Sequence, residues 1–114
     1  MKNDIMAYKE NKLLIEALLA CAMECERCAT ACLLEDGIKM LTKCIQLDRD
    51  CTDICLLTAQ LLSRGSEHGL HLLKECTEVC HKCAVECEKH RHMDHCGMCA
   101  ETCKRCAEQC AHLV

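Results

Sequence analysis

Residues 76–87 read CTEVCHKCAVEC, and the same C-x3-C-x2-C-x3-C spacing of cysteines occurs in residues 21–32, CAMECERCATAC, and in residues 99–110, CAETCKRCAEQC. Steps of three and four residues match the period of an α-helix, so each stretch places its four sulfurs along one side of a helix. Cys96 extends the last stripe by one further step. The spacing therefore predicts at least three helices, each with a stripe of thiols on one face.

A fourth segment keeps nearly the same spacing but has one carboxylate in the stripe. It contains Cys44, Asp48, Cys51 and Cys55. One or two cysteines often serve as small core hydrophobes, but the chain has 16 of them at helical spacing. Thiolates that face a core must be neutralised, and a soft metal ion does so most simply.

The composition indicates a single helical domain that spans residues 1–114. Proline is absent, glycine occurs four times, and Tyr8 is the only aromatic residue. The chain is mildly acidic, with 18 acidic and 14 basic residues, and it has no run of basic residues, so we expect no nucleic-acid partner. No apolar run approaches the ~20 residues that cross a bilayer, so we expect no membrane partner.

The segment 18–21, LLAC, has a weak likeness to a leader peptide that ends at a lipid-modified cysteine. However, Asp4, Glu10 and Glu16 are acidic where such a leader is basic and then apolar. Cys21 also begins a thiol stripe. We therefore expect the protein to be cytoplasmic, where thiols are kept reduced.

Turn and cap residues divide the chain into four predicted helices. They cluster at residues 35–37, 63–66 and 90–94. The predicted helices span residues 5–34, 38–63, 67–90 and 94–112. Because the connections are short, consecutive helices should be antiparallel. The predicted fold is an all-α, up-down-up-down antiparallel four-helix bundle with a cysteine-lined core.

Antiparallel packing predicts two different ends for this bundle. Leucines that extend the stripes should close one end, here called the leucine end: Leu14, Leu18, Leu62, Leu73 and Leu113. The opposite end, here called the histidine end, should carry His90, His92, Met93 and His95, with Met40 and Met98 one turn inside.

The helical spacing of the thiols favours Cu(I) over Zn(II). Cu(I) prefers sulfur ligands and accepts two or three of them, and side chains at i and i+4 have β-carbons roughly 6 Å apart, which suits two-coordinate binding. Zn(II) requires four ligands, usually presented from loops. With two thiolates per Cu(I) the chain would bind about eight ions, and with one thiolate per Cu(I) about sixteen. Such a load indicates storage rather than transfer of single ions.

Several alternatives remain open from the residues alone. Metallothionein-like buffering of zinc or cadmium also uses thiolates, and a thiol redox-buffering protein is possible chemically. A disulfide framework does not suit helical stripes without an export signal, and iron–sulfur clusters require four cysteines that converge on one point. We expect no enzymatic activity, since no cysteine is distinguished from the others.

The chain resembles the four-helix-bundle copper storage proteins of bacteria, in particular their cytosolic branch. The resemblance is carried by CIQLDRDCTDIC at residues 44–55, by CEKHRHMDHC at residues 87–96 and by the pattern CxxCAxxCxxCAxxC that ends at Cys110. It implies a homotetramer of bundles that take up copper at one open end, with possible delivery by a copper chaperone.

The resemblance also implies the roles of individual residues. His90, His92 and His95 would serve copper uptake or the outermost sites. Asp48 occupies a ligand position, although a hydrogen bond to one of these histidines is the favoured role for so hard a ligand. Met40, Met93 and Met98 would either assist at the histidine end or only pack. The expected Cu(I) ligands are all the cysteines: Cys21, Cys25, Cys28, Cys32, Cys44, Cys51, Cys55, Cys76, Cys80, Cys83, Cys87, Cys96, Cys99, Cys103, Cys106 and Cys110.

Overall fold

The computed structural model describes residues 4–113, with side chains described for Lys9 and residues 11–113. Within this part of the chain there are four α-helices and one short 3-10 helix and no strand. The α-helices are α1 (Asp4–Leu33), α2 (Thr42–Ser63), α3 (His68–Glu88) and α4 (Asp94–Ala111). The 3-10 helix, Ile38–Leu41, leads directly into α2.

The helices form an antiparallel bundle in which each helix packs against two neighbours. The packed pairs are α1 with α2, α2 with α3, α3 with α4, and α1 with α4. The particle measures 51 × 20 × 18 Å, and the long dimension reflects α1, since 30 residues rise about 45 Å. This confirms the predicted all-α four-helix bundle.

The connection between α2 and α3 shows how the sequence ends a helix. Gly65 has φ 72°, a conformation that glycine adopts without strain. Its N–H donates to the carbonyl of Leu62, and the N–H of Ser66 donates to the carbonyl of Leu61, which together make a Schellman motif. At Gly69 a β-carbon would lie 2.9 Å from Leu62 Cδ2, so glycine lets α3 approach α2 closely here.

The observed boundaries differ from the predicted ones by more than one residue in two places. Helix α3 ends at Glu88, so His90 lies in a turn in which its N–H donates to the carbonyl of Cys87. The first turn of the predicted second helix is the tighter 3-10 helix. Both differences lie at helix ends, where local hydrogen bonding changes easily.

The core consists of leucines at one end and cysteines along the rest of its length. Leu14, Leu18, Leu62 and Leu73 are buried as predicted. The prediction for Leu113 is wrong: it is 51% exposed, because α4 ends at Ala111 and Leu113 lies beyond the last helical turn. No helix within residues 4–113 has both the length and the apolar content to span a bilayer.

Candidate metal centre

The 16 cysteines are all buried free thiols that face the interior of the bundle. Their helical spacing explains this arrangement, because each stripe lies on the side of its helix that the two neighbouring helices cover. The stripes therefore meet in one column of sulfur along the bundle axis.

Sulfurs in this column contact one another both within and between helices. Within helices, i and i+4 partners such as Cys51 and Cys55 have sulfurs 3.9 Å apart. Between helices, the sulfurs of Cys25 and Cys103 are 3.4 Å apart. A metal–sulfur bond of about 2.3 Å lets two sulfurs share an ion at separations up to about 4.6 Å. The column can thus receive ions between its sulfurs with small side-chain adjustments.

Five groups of four ligand atoms occur along the column, and the atoms of each group lie within 4.8 Å of one another. From the histidine end to the leucine end they are Cys28/Cys32/Cys44/Cys96, Cys28/Asp48/Cys87/Cys99, Cys25/Cys83/Cys99/Cys103, Cys21/Cys25/Cys51/Cys103 and Cys21/Cys55/Cys80/Cys106.

Neighbouring groups share members, and this sharing determines which metal suits the column. Cys21, Cys25, Cys28, Cys99 and Cys103 each belong to two groups. At most three of the five groups have no member in common, namely the first, third and fifth, so separate tetrahedral ions would use only twelve of the sixteen thiols. A cysteine that belongs to two groups can serve both of them only if its thiolate bridges two ions. The arrangement therefore favours Cu(I), which accepts low coordination numbers and bridging thiolates.

Cys76 and Cys110 complete the column near the leucine end. They belong to none of the five groups. Cys76 Sγ lies 3.8 Å from Cys55 Sγ and 3.9 Å from Cys80 Sγ. The thiol column thus extends at least to Cys76, next to the buried leucines.

Asp48 lies completely buried inside the second group. Its Oδ1 accepts hydrogen bonds from Cys83 at 3.1 Å, Cys99 at 3.3 Å and Cys87 at 3.5 Å. Burial, together with the charges of Cys99 and Cys44, raises the pKa of Asp48 to about 9. The favoured interpretation, a hydrogen bond from Asp48 to a histidine, is wrong, because thiols from α3 and α4 occupy the acceptor sites of this carboxyl group.

Two thiols near the histidine end, Cys32 and Cys96, keep their protons in the metal-free protein, whereas hydrogen bonds from Cys28 and Cys87 lower the pKa of Cys44 to about 3. Burial raises the pKa of Cys32, and burial followed by the charge of Cys44 raises the pKa of Cys96 to about 11. A Cu(I) ion that binds Cys32 or Cys96 must therefore displace a proton. Since one monovalent ion replaces one proton on a thiol, filling the column adds little net charge to the core.

Of the three predicted histidines, His95 makes the most direct contact with the column. Its Nδ1 lies 3.5 Å from Cys96 Sγ, 3.7 Å from Cys28 Sγ and 3.8 Å from Cys32 Sγ. His90 and His92 lie beside each other, with ring centroids 6.5 Å apart, in the turn between α3 and α4. Within residues 4–113, neither the His90 ring nor the His92 ring forms a hydrogen bond with a cysteine thiol.

The histidine end has a surface depression of about 260 Å³ above the first group of thiols. It is lined by Glu35, Asp36, Gly37, Met40, Leu41, His90, His92 and Met93. Met93 is half-buried, but Met40 and Met98 are mostly exposed, so neither lies inside the bundle as predicted. Met98 directly precedes the buried Cys99 on α4, and successive helical residues are rotated by about 100°, so Met98 points away from the core. Next to Met40, it is Leu41 that is buried.

Two glutamates at this end were not identified from the sequence. Glu35 Oε2 lies 2.9 Å from His95 Nε2, and Glu86 Oε2 lies 3.2 Å from His90 Nε2. Glu35 stands in a turn sequence and is separated from His95 by 60 residues, so no local pattern connects them. Only the spacing Glu86 to His90, four residues on one helical face, offers a sequence signal.

Copper storage proteins are among the known proteins that this chain resembles in sequence and fold. Residues 7–114 match the family described as "Copper storage protein". A cytosolic copper storage protein from Streptomyces lividans, solved with five coppers, is 40% identical, with 95% of this chain and 94% of that chain covered and a TM-score of 0.88.

Matches from Bacillus subtilis are also similar. The Cu(I)-bound storage protein BsCsp3 is 39% identical, with 90% of this chain and 96% of that chain covered and a TM-score of 0.86. The uncharacterized cysteine-rich protein YhjQ is 43% identical over 87 residues, which cover 76% of this chain and 80% of that protein. The match over residues 7–114 and the buried thiol column place this chain in the copper storage protein family.

Proposed function

We propose that this protein stores Cu(I) in the cytosol by exchanging the protons of its buried thiols for copper ions. The observation that carries this proposal is the overlap of the five groups of ligand atoms, which turns separate sites into one continuous column. The similar Streptomyces protein is described as cytosolic. Sequestration of Cu(I) among buried sulfurs would keep it from redox cycling and from displacing other metals.

All sixteen cysteines are proposed as ligands in this function. Two thiolates per ion would give about eight Cu(I) ions, and one bridging thiolate per ion would give about sixteen. Asp48 is proposed to take a ligand position in the second group, where its carboxylate would offset the charge of one copper ion once its proton is lost.

The histidine end is proposed as the place of copper uptake. His95 is adjacent to three sulfurs of the first group, and His90 and His92 line or border the depression that opens to solvent. The opposite end is closed by buried leucines. An ion entering beside the histidines would meet thiols at once, whereas at the leucine end it would first meet an apolar barrier.

We propose that residues 1–114 form one storage domain. Storage of copper by this domain would require no catalysis. Every thiol has the same kind of buried, thiol-rich surroundings, so no single nucleophile is distinguished. The homotetramer and delivery by a copper chaperone remain predictions from the family resemblance. Light scattering of the purified protein, with and without copper, would measure the oligomeric state.

Buffering of zinc or cadmium and thiol redox buffering are the alternative functions. Anaerobic titration of the reduced protein with Cu(I), in competition with a strong chromophoric chelator, should show at least about eight tightly bound ions. Binding of fewer than about four would contradict storage. Redox buffering instead predicts rapid formation of defined disulfides when the metal-free protein meets peroxide, and slow, scrambled oxidation would exclude it.

A further inference from the structure

Glu35 stands in the turn between α1 and the 3-10 helix, opposite the first turn of α4. Its backbone N–H donates to the carbonyl of Cys32, which fixes the turn directly beside the first group of thiols. The side chain is 40% exposed, whereas the His95 ring that it contacts is only 13% exposed. Glu35 thus contacts His95 from the solvent side, and the thiol column lies on the inner side of the ring.

The His95 ring lies between this carboxylate and the sulfurs. Its Nε2 is 2.9 Å from Glu35 Oε2, and its Nδ1 faces the sulfurs of Cys28, Cys32 and Cys96 at 3.5 to 3.8 Å. An ionised carboxylate only accepts hydrogen bonds, so Nε2 must carry the proton. In a neutral ring the other nitrogen, Nδ1, then has a free lone pair that points at the sulfurs.

His90 provides an internal comparison, because it also contacts a glutamate through Nε2. That glutamate, Glu86, has Lys89 Nζ 3.2 Å away and Lys43 Nζ 3.9 Å away, so its charge is shared among three partners. Within residues 4–113, the His90 ring has no hydrogen bond to a thiol. The combination of a carboxylate on one ring nitrogen and several thiols on the other therefore belongs to His95.

We propose that Glu35 is a positioning residue for copper uptake: it keeps the proton of His95 on Nε2 and orients the ring, so that Nδ1 can bind Cu(I) together with the sulfurs of the first group. Metal-binding histidines commonly donate their second N–H to a carboxylate in this manner. The inference rests on the proposed uptake at the histidine end. It assigns a role to Glu35, whose carboxylate contacts the His95 ring rather than the sulfurs.

The first test measures the His95 tautomer in the reduced, copper-free protein, independently of any copper binding. Long-range proton–nitrogen correlation spectra, recorded at a pH where the ring is neutral and assigned by comparison with His95→Ala, should show the proton on Nε2. Glu35→Gln should keep this tautomer, since the amide oxygen also accepts a hydrogen bond, whereas Glu35→Ala should yield a mixture. A proton on Nδ1 in the unaltered protein would overturn the proposal.

The second test measures the rate of Cu(I) uptake by stopped-flow absorption. Glu35→Ala should slow uptake about tenfold without changing the final capacity, and Glu35→Gln should stay within about twofold of the unaltered protein. Glu78→Ala is the matched control, because Glu78 is an exposed glutamate on α3 whose recorded ion pair is with the exposed Lys82. It should load at the unaltered rate.

A double variant separates this inference from the proposed function. If Glu35 acts through His95, then Glu35→Ala should cause no further slowing in a His95→Ala background. Equal slowing in both backgrounds would overturn the positioning role. If His95→Ala itself loads at the unaltered rate while the tautomer is as expected, His95 takes no part in uptake and the role of Glu35 in uptake fails. The proposed uptake at the histidine end fails as well only if joint replacement of His90, His92 and His95 also leaves the rate unaltered.

Discussion

The leucine end and the histidine end are built from the same four helices but from opposite kinds of side chain. At the leucine end, Leu18 and Leu73 are fully buried. At the histidine end, His90, His95 and Glu35 are only partly covered. The His95 ring contacts Glu35, and the His90 ring contacts Glu86. We therefore expect one end to stabilise the bundle and the other, under the proposed function, to exchange copper ions with the solvent.

This division allows the metal content to change while the fold stays the same. A fully buried leucine stabilises a fold by about 1.5–3 kcal/mol relative to an exposed one, whether or not metal is present. Thiols between the two ends pack as small hydrophobes when protonated and bind ions when deprotonated. We therefore expect the reduced, copper-free chain to be helical, unlike metal-dependent domains that unfold without their ion.

The largest expected effect comes from a cavity at the leucine end. Leu73→Ala should lower the free energy of unfolding of the reduced, copper-free protein by about 2–5 kcal/mol, because it removes a buried side chain that the surrounding helices cannot replace. Urea unfolding followed by far-ultraviolet circular dichroism measures this change.

A matched control for this substitution lies on the same helix. Leu70 is 58% exposed, so Leu70→Ala should change the free energy of unfolding by no more than about 0.5 kcal/mol. Similar losses for the two variants would contradict the assignment of stability to the buried leucines.

The sequence predicted the thiol column because its cause is local. Helical spacing alone places Cys76, Cys80, Cys83 and Cys87 on one face, and burial of that face follows from packing four such helices together. The same local reasoning placed Leu18 and Leu73 at the leucine end. It was wrong for Leu113, because the end of a helix depends on contacts that a periodic pattern does not contain.

Features that depend on how the helices are aligned could not be predicted in this way. The thiols that donate to Asp48 Oδ1 come from α3 and α4, and the relative shift of these helices decides which thiols reach it. The contact of Glu35 with His95 joins two turns that are distant in sequence. The first contact depends on the alignment of helices, and the second depends on side-chain directions at a turn; a periodic pattern contains neither.

A smaller effect, on rate rather than stability, is expected at the histidine end. Replacing His90, His92 and His95 together with alanine should slow Cu(I) uptake or release about tenfold, while the total number of bound ions stays nearly unchanged. Stopped-flow absorption gives the rate, and anaerobic titration gives the capacity.

The corresponding control replaces histidines elsewhere on the surface. His68 and His71 are exposed at the start of α3, near the leucine end, and their double replacement with alanine should alter neither rate nor capacity. A large loss of capacity in the triple variant, with rates unchanged, would mean that the three histidines are storage ligands rather than part of the uptake route.

The smallest expected effect distinguishes thiols in the middle of the column from those nearest the leucine end. Cys21 and Cys103 together belong to three of the five groups, whereas Cys76 and Cys110 belong to none. Cys21→Ala combined with Cys103→Ala should therefore lower the capacity by about two to four ions, and Cys76→Ala combined with Cys110→Ala by about one or two. Anaerobic Cu(I) titration of both double variants measures the difference. Equal losses would show that copper fills every thiol alike, and the distinction between shared and unshared positions would have no consequence for storage.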